Sequence, residues 1–85
     1  MLTVMDLKET VRRFIVSNYY VGDASALTDD TSLVDQAIID STGIFEVIVF
    51  LESKFGIKIA DSDMLPDNLD SIAKIAAFVA RKKSG

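Results

Sequence analysis

The chain contains neither cysteine nor histidine. Without cysteine there is no disulfide framework, no thiolate nucleophile and no zinc site built on cysteine. Without histidine, Ser-His and Cys-His catalysis and most transition-metal sites also drop out, so any chemistry would rest on carboxylates, lysines and hydroxyls. No enzyme, no catalytic residue and no resident metal is expected. Long apolar runs are missing as well. No stretch approaches 18 apolar residues, and "MLTVMDLKETVRR" lacks the basic start and uninterrupted apolar core of a secretory signal. The expectation is a cytoplasmic protein with no stable membrane insertion.

What is present is the balance of a globular chain. Of 85 residues, 49% are apolar and 26% charged, enough for one domain over residues 1–85 that buries roughly 60–65% of its unfolded surface. The net charge of −4 is unevenly spread: residues 23 to 70 hold eleven acids against Lys54 and Lys58, while both ends are basic. A surface with that acidic middle disfavours nucleic acid and favours basic protein partners, although acids that merely keep a small domain in solution would give the same count.

Periodicity predicts an all-α architecture. Val4, Leu7, Val11, Phe14 and Ile15 recur at intervals of three and four, one side of a helix over residues 3 to 19, and Thr3 with Asp6 has the form of a capping box. From Tyr20 to Asp40 no period persists, so a long loop is expected, anchored by Leu27, Leu33 and Ile38. A second helix spans residues 41 to 55 and stops at Gly56. One helical turn is expected around residues 61 to 65, before Pro66, and a last helix starts at Asp70 or Ser71 and ends in "ARKK". The sum is a bundle of three main helices plus one short helix.

On the second helix, Ile44, Val47, Ile48, Leu51 and Phe55 form the stripe expected to be buried. Ser41, Phe45, Val49 and Glu52 make a second row, rotated by about 90°. Ser41 admits two readings. Asp40 and Ser41 are both common helix starts, a role that contributes ~1 kcal/mol. Equally, a hydroxyl at a helix N-terminus is a favoured place for a phosphate ester, with Asp40 beside it able to help hold a divalent cation during transfer.

Several segments in this order carry a resemblance: Leu33, "IIDS" at residues 38 to 41, "FLESKFGIKI" at 50 to 59 and "LDSIAKIAAFV" at 69 to 79. Together they make the chain similar, over nearly its whole length, to the acyl carrier proteins. That resemblance implies a monomeric carrier in which Ser41 receives a 4'-phosphopantetheine arm from coenzyme A through a phosphopantetheinyl transferase. The arm's thiol would carry acyl or aminoacyl thioesters between loading, synthase and transferase enzymes of fatty acid, lipid or secondary-metabolite synthesis. The absent cysteine then makes sense, because the thiol belongs to the prosthetic group.

Thr42, Phe45, Glu46, Val49 and Glu52 become the expected docking face for partners with basic patches, and the apolar character of this helix suggests a specialised carrier. The alternative for Phe45 and Val49 is ordinary core beneath the loop. Two departures stand out: Thr42 follows Ser41 where the family usually has Leu or Ile, and Ala37-Ile38-Ile39 precedes Asp40 where a glycine is usual. A rival reading keeps the fold and drops the arm, leaving an unmodified interaction module in which Ser41 only caps a helix. A calcium site in "DASALTDD" is disfavoured, because the loop lacks the glycine and terminal glutamate such sites use.

Overall fold

A computed structural model describes residues 3–19 and 27–84, with Ser41 and Ser84 described by their backbone alone. Residues 20–26 of the expected loop lie outside the described residues. The elements are α1 (Val4–Asn18), α2 (Ser41–Phe55), a 3-10 turn (Asp61–Asp63), α3 (Pro66–Leu69) and α4 (Ile72–Ser84). Among the described residues there is no strand. No helix of the described residues is long and apolar enough to cross a membrane.

The start of α1 is the expected capping box: the Thr3 hydroxyl accepts from the Asp6 amide at 3.1 Å, and the Asp6 carboxylate accepts from the Thr3 amide at 3.0 Å. Both bonds satisfy donors that the helix itself leaves over. The Thr3 amide, followed by the Thr3 hydroxyl 3.1 Å from the same carboxylate, holds the Asp6 carboxyl below its ordinary value. Leu7, Val11 and Ile15 are buried, and α1 packs most extensively against α4. At the far end of α2, Gly56 takes the left-handed conformation (φ 66°), and its amide donates to the Glu52 carbonyl. A residue without Cβ closes the helix at little cost.

The helical turn expected around residues 61 to 65 is found as a 3-10 turn, and a second short helix that was not expected follows it. The turn at Asp61–Asp63 ends before Met64, and the helical turn follows at Pro66–Leu69. Proline is tolerated as the first helical residue, where its missing N–H would have had no partner, and Leu69 is driven into the core at 2% exposure. The last helix begins at Ile72, one residue beyond the expected range. Ser71, itself buried, supplies the cap by accepting from the Lys74 amide at 3.1 Å.

The loop before α2 is held by polar and apolar anchors together. Leu27 and Leu33 are buried and Ile38 is half-buried, as expected, but Ile39 goes deepest of the isoleucine pair. Asp70 is the main polar clasp. Its carboxylate accepts from the Ser32 hydroxyl at 2.7 Å and the Val34 amide at 3.0 Å, and its carbonyl accepts from the Leu33 amide at 2.8 Å. On the α1 side, Arg12 bonds the Leu27 carbonyl and the Asp29 carboxylate, with Lys8 3.5 Å from the same carboxylate. The Arg12 hydrogen bond and both cations hold the Asp29 carboxyl below its ordinary value. The chain thus reaches α2 in a fixed register.

Candidate functional site

The opening turn of α2 is organised by Asp40, whose backbone is extended and whose carboxylate accepts from the Gly43 amide at 2.7 Å. Its carbonyl accepts from the Ile44 amide at 3.0 Å. Asp40 is therefore the N-cap, and Ser41 is the first residue of the helix. The capping role that the sequence left open between these two residues belongs to Asp40. The amides of Ser41 and Thr42 have no acceptor within the helix and sit at its positive end, a setting that suits a phosphodiester. No cluster of metal-ligating side chains is found among the described residues, and Asp40 is occupied by its own helix.

Gly43 is the tight point of this turn. A Cβ there would stand 2.8 Å from the buried Ile39 side chain, 3.3 Å from the Tyr19 ring and 3.4 Å from the Asp40 carboxylate. The missing side chain lets the end of α1 approach the start of α2. Tyr19 completes the approach by donating its hydroxyl to the Gly43 carbonyl at 3.2 Å. Burial, followed by the charge and competing hydrogen bond of Glu46, pushes the Tyr19 phenol above its ordinary value. Tyr19 and Gly43 were not picked out from sequence: neither shows a role until two helix ends meet.

Just upstream, Ala37 is the one non-glycine residue with positive φ among the described residues, at 56°. That left-handed turn feeds Ile38 and Ile39 onto the core, with both amides donating to the Leu33 carbonyl at 2.9 and 3.2 Å. The turn is the kind that glycine adopts without steric cost.

The remaining residues of the expected docking row fall into two groups. Phe45 is 60% exposed and Val49 65% exposed, so neither is core; Thr42 and Glu46 are exposed beside them. Glu52 is different. It is half-buried, and its carboxylate accepts from the Ile59 amide at 3.0 Å, bracing the segment that follows α2. Ile44, expected in the buried stripe, is only partly buried; Val47, Ile48, Leu51 and Phe55 fill the core.

Two hollows flank α2. On the α3 side, Val34, Ile44, Met64, Leu65 and Leu69 line a small apolar hollow of about 130 Å³. Facing α1, a wider groove of about 560 Å³ begins at Thr42 and runs past Phe45 and Val49 to Ser53. Its floor is Phe14 of α1 stacked on Phe50 of α2, with ring centroids 4.0 Å apart and planes 16° from parallel.

This arrangement agrees with what the chain is similar to. The family described as "Phosphopantetheine attachment site" matches residues 4–79. A D-alanyl carrier protein from Streptococcus suis is 35% identical over 75 residues, covering 88% of this chain and 92% of that protein. An acyl carrier protein from Solidesulfovibrio magneticus is 30% identical over 79 residues, covering 93% and 97%. A D-alanyl carrier protein from Streptococcus pyogenes serotype M1 is again 35% identical over 75 residues. A helical scaffold without nucleophilic cysteine or histidine, matched over most of its length by such relatives, is a carrier and not a catalyst: the chain belongs to the acyl carrier protein family, whose prosthetic group is 4'-phosphopantetheine.

Proposed function

We propose that the chain is a stand-alone, single-domain carrier that holds acyl or aminoacyl thioesters on an arm attached to Ser41 and passes them between enzymes. The observation that supports this reading most is the division of labour at the helix start. Asp40 caps α2 through Gly43, which makes Ser41 the first residue of the helix, at its positive end. In the attachment reaction the Ser41 oxygen forms a new bond to the pantetheine phosphorus of coenzyme A. The P–O–P link breaks, adenosine 3',5'-bisphosphate leaves with the electron pair, and the serine proton passes to a base on the transferase. Once bound, the arm supplies the thiol on which cargo is held.

Phe45 and Val49, rimmed by Glu46, would form the contact for partners with basic patches. Exposed apolar anchors with one carboxylate give short-lived complexes oriented by charge. Glu52 contributes less to that face, being tied to Ile59. A compact cargo is favoured over a long chain. The apolar hollow beside α2, at about 130 Å³, has the liquid volume of about four waters, and carriers named for D-alanine are among the chain's relatives.

Intact mass after incubation with a phosphopantetheinyl transferase and coenzyme A tests the attachment. The wild-type chain should gain one arm and Ser41→Ala none. No gain on the wild type, or an equal gain on Ser41→Ala, overturns the reading.

A further inference from the structure

Tyr19 ends α1 and reaches across to the start of α2. Its amide donates to the Ile15 carbonyl at 3.0 Å while its backbone is extended (φ −132°, ψ 152°), so the helix stops there and the side chain leaves in a set direction. Ile15 is fully buried and anchors that end of α1 in the core. The Tyr19 ring meets Phe14 edge-on, with centroids 6.1 Å apart, and Phe14 is stacked in turn on Phe50 of α2. Braced in this way, the phenol delivers its proton to the Gly43 carbonyl at 3.2 Å.

Gly43 is where such a bond has most to do. Its amide donates to the Asp40 carboxylate at 2.7 Å, so the residue is gripped by the helix cap through its N–H and by α1 through its carbonyl. Glycine is among the weakest helix formers, and Thr42 before it is also below average. A first turn of Ser-Thr-Gly therefore has little local tendency to stay helical, and contacts from outside the helix decide its shape. A stiffer residue does not fit in place of the glycine, because its Cβ would stand 2.8 Å from the buried Ile39 side chain and 3.3 Å from the Tyr19 ring. The same missing side chain that lets α1 approach thus loosens the turn that carries Ser41, and the Tyr19 hydroxyl offsets that looseness. Burial, followed by the carboxylates of Glu46 and Asp40, raises the phenol above its ordinary value, so it stays protonated and able to donate at neutral pH.

We propose that Tyr19 is a positioning residue for attachment at Ser41: its hydrogen bond to Gly43 holds the first turn of α2 in the geometry in which the serine oxygen meets the pantetheine phosphorus on the transferase. The inference rests on the carrier reading given above. Tyr19 acts through Gly43 and takes no part in the transfer itself. Ser41 lies two residues ahead of Gly43 in the same turn, so a tilt of that turn moves the serine, and a misplacement of about 1 Å costs on the order of 100-fold in rate. The proposal gives α1 a part in attachment, although none of the site residues expected from sequence lies on it.

The test compares the full wild-type chain with Tyr19→Phe, which keeps the ring against Phe14 and removes only the hydroxyl. The control is Thr3→Ala, which removes a cap at the far end of the 15-residue helix, about 22 Å away. Arm transfer from coenzyme A is followed by intact mass in single turnovers, with a phosphopantetheinyl transferase in excess. Tyr19→Phe should lower the maximal rate by about three- to tenfold, the size of one neutral hydrogen bond. The transferase concentration giving half that rate should stay unchanged, because Phe45 and Val49 keep their exposure; Thr3→Ala should alter neither quantity. Equal maximal rates for wild type and Tyr19→Phe, a loss carried only by the half-saturating concentration, or an equal fall in Thr3→Ala overturns the inference.

Amide hydrogen exchange supplies a second readout that needs no transferase. Tyr19→Phe should speed exchange several-fold at Gly43 and Ile44 beyond any change at Ile75 and Val79, which are buried in α4. A parallel change at all four, or none at Gly43 and Ile44, contradicts the clamp. If the wild-type chain takes up no arm, the carrier reading fails and the attachment role fails with it, whatever the exchange shows. If it is loaded and Tyr19→Phe is loaded equally fast, only the role given to Tyr19 fails.

Discussion

The two flanks of α2 are built on opposite terms. On the α3 side, the loop is drawn over the helix and fastened: Asp70 holds Ser32, Leu33 and Val34 through three hydrogen bonds, and what remains is a hollow of about 130 Å³. On the α1 side, among the described residues, the Tyr19 hydroxyl bonds the Gly43 carbonyl at the start of the helix and no carboxylate clasp like that of Asp70 is found. The residues there meet through two aromatic rings, leaving a groove of about 560 Å³ with Phe45 and Val49 on its edge. The fastened flank fixes where the chain enters α2, and therefore where Ser41 stands. Under the proposed function, the open flank would be the surface for temporary contacts with partners, so that one helix is core on one side and exposed on another.

The contrast can be broken most strongly from the fastened side. Leu33 is fully buried, and its carbonyl receives the amides of Ile38 and Ile39. Leu33→Ala should cost about 3 kcal/mol in urea unfolding, by lost burial and the cavity left behind. Asp70→Ala comes next. It removes a carboxylate acceptor from the Ser32 hydroxyl and the Val34 amide, so a loss of about 2 kcal/mol is expected by the same measurement. A loss below about 0.5 kcal/mol for either would mean that the loop is not fastened as described.

Smaller and of opposite sign is Ala37→Gly. Relief of the left-handed backbone at φ 56° outweighs the entropy that glycine adds to the unfolded chain, giving a gain of about 0.5–1 kcal/mol. Destabilisation by this change would show that the turn before Asp40 is not held in that conformation. The smallest stability effect belongs to the open flank: Val49→Ser, at a side chain 65% exposed, should alter unfolding by no more than about 0.5 kcal/mol. A larger loss would move Val49 from landing surface to core.

Much of the fold was legible in the sequence, and the reasons are local. The limits of α2 follow from an Asp-Ser start, a 3.6-residue apolar period and Gly56, all read within one stretch of chain. The capping box of Thr3 and Asp6 was equally visible. The turn around residues 61 to 65 was legible, whereas the further helical turn after it was not. Acids and a following proline read as a turn that ends at Pro66, whereas Pro66 begins the helical turn that buries Leu69. Ile39 was passed over for Ile38, since a loop without a period gives no basis for choosing between neighbours.

The candidate site divides in the same way. Ser41, Asp40, Phe45 and Val49 could be placed from the helical period and the family resemblance. The engagement of Glu52 with Ile59 could not, because it depends on how the chain turns back after Gly56. Asp70 reaches Ser32 and Val34 across 38 and 36 residues, and Tyr19 reaches Gly43 across 24. Pairings of that length leave no local trace in composition or spacing. The aromatic floor was hidden for the same reason: Phe14 and Phe50 become neighbours only when α1 and α2 cross.

The central claim is that the arm is carried by the first residue of α2. The most direct measurement is fragmentation mass spectrometry of the tryptic peptide spanning residues 14–54 from protein loaded by a transferase with coenzyme A. The account predicts a single phosphodiester on Ser41. Attachment at Thr42, Ser53 or any other hydroxyl, or a peptide that remains unmodified, would contradict it.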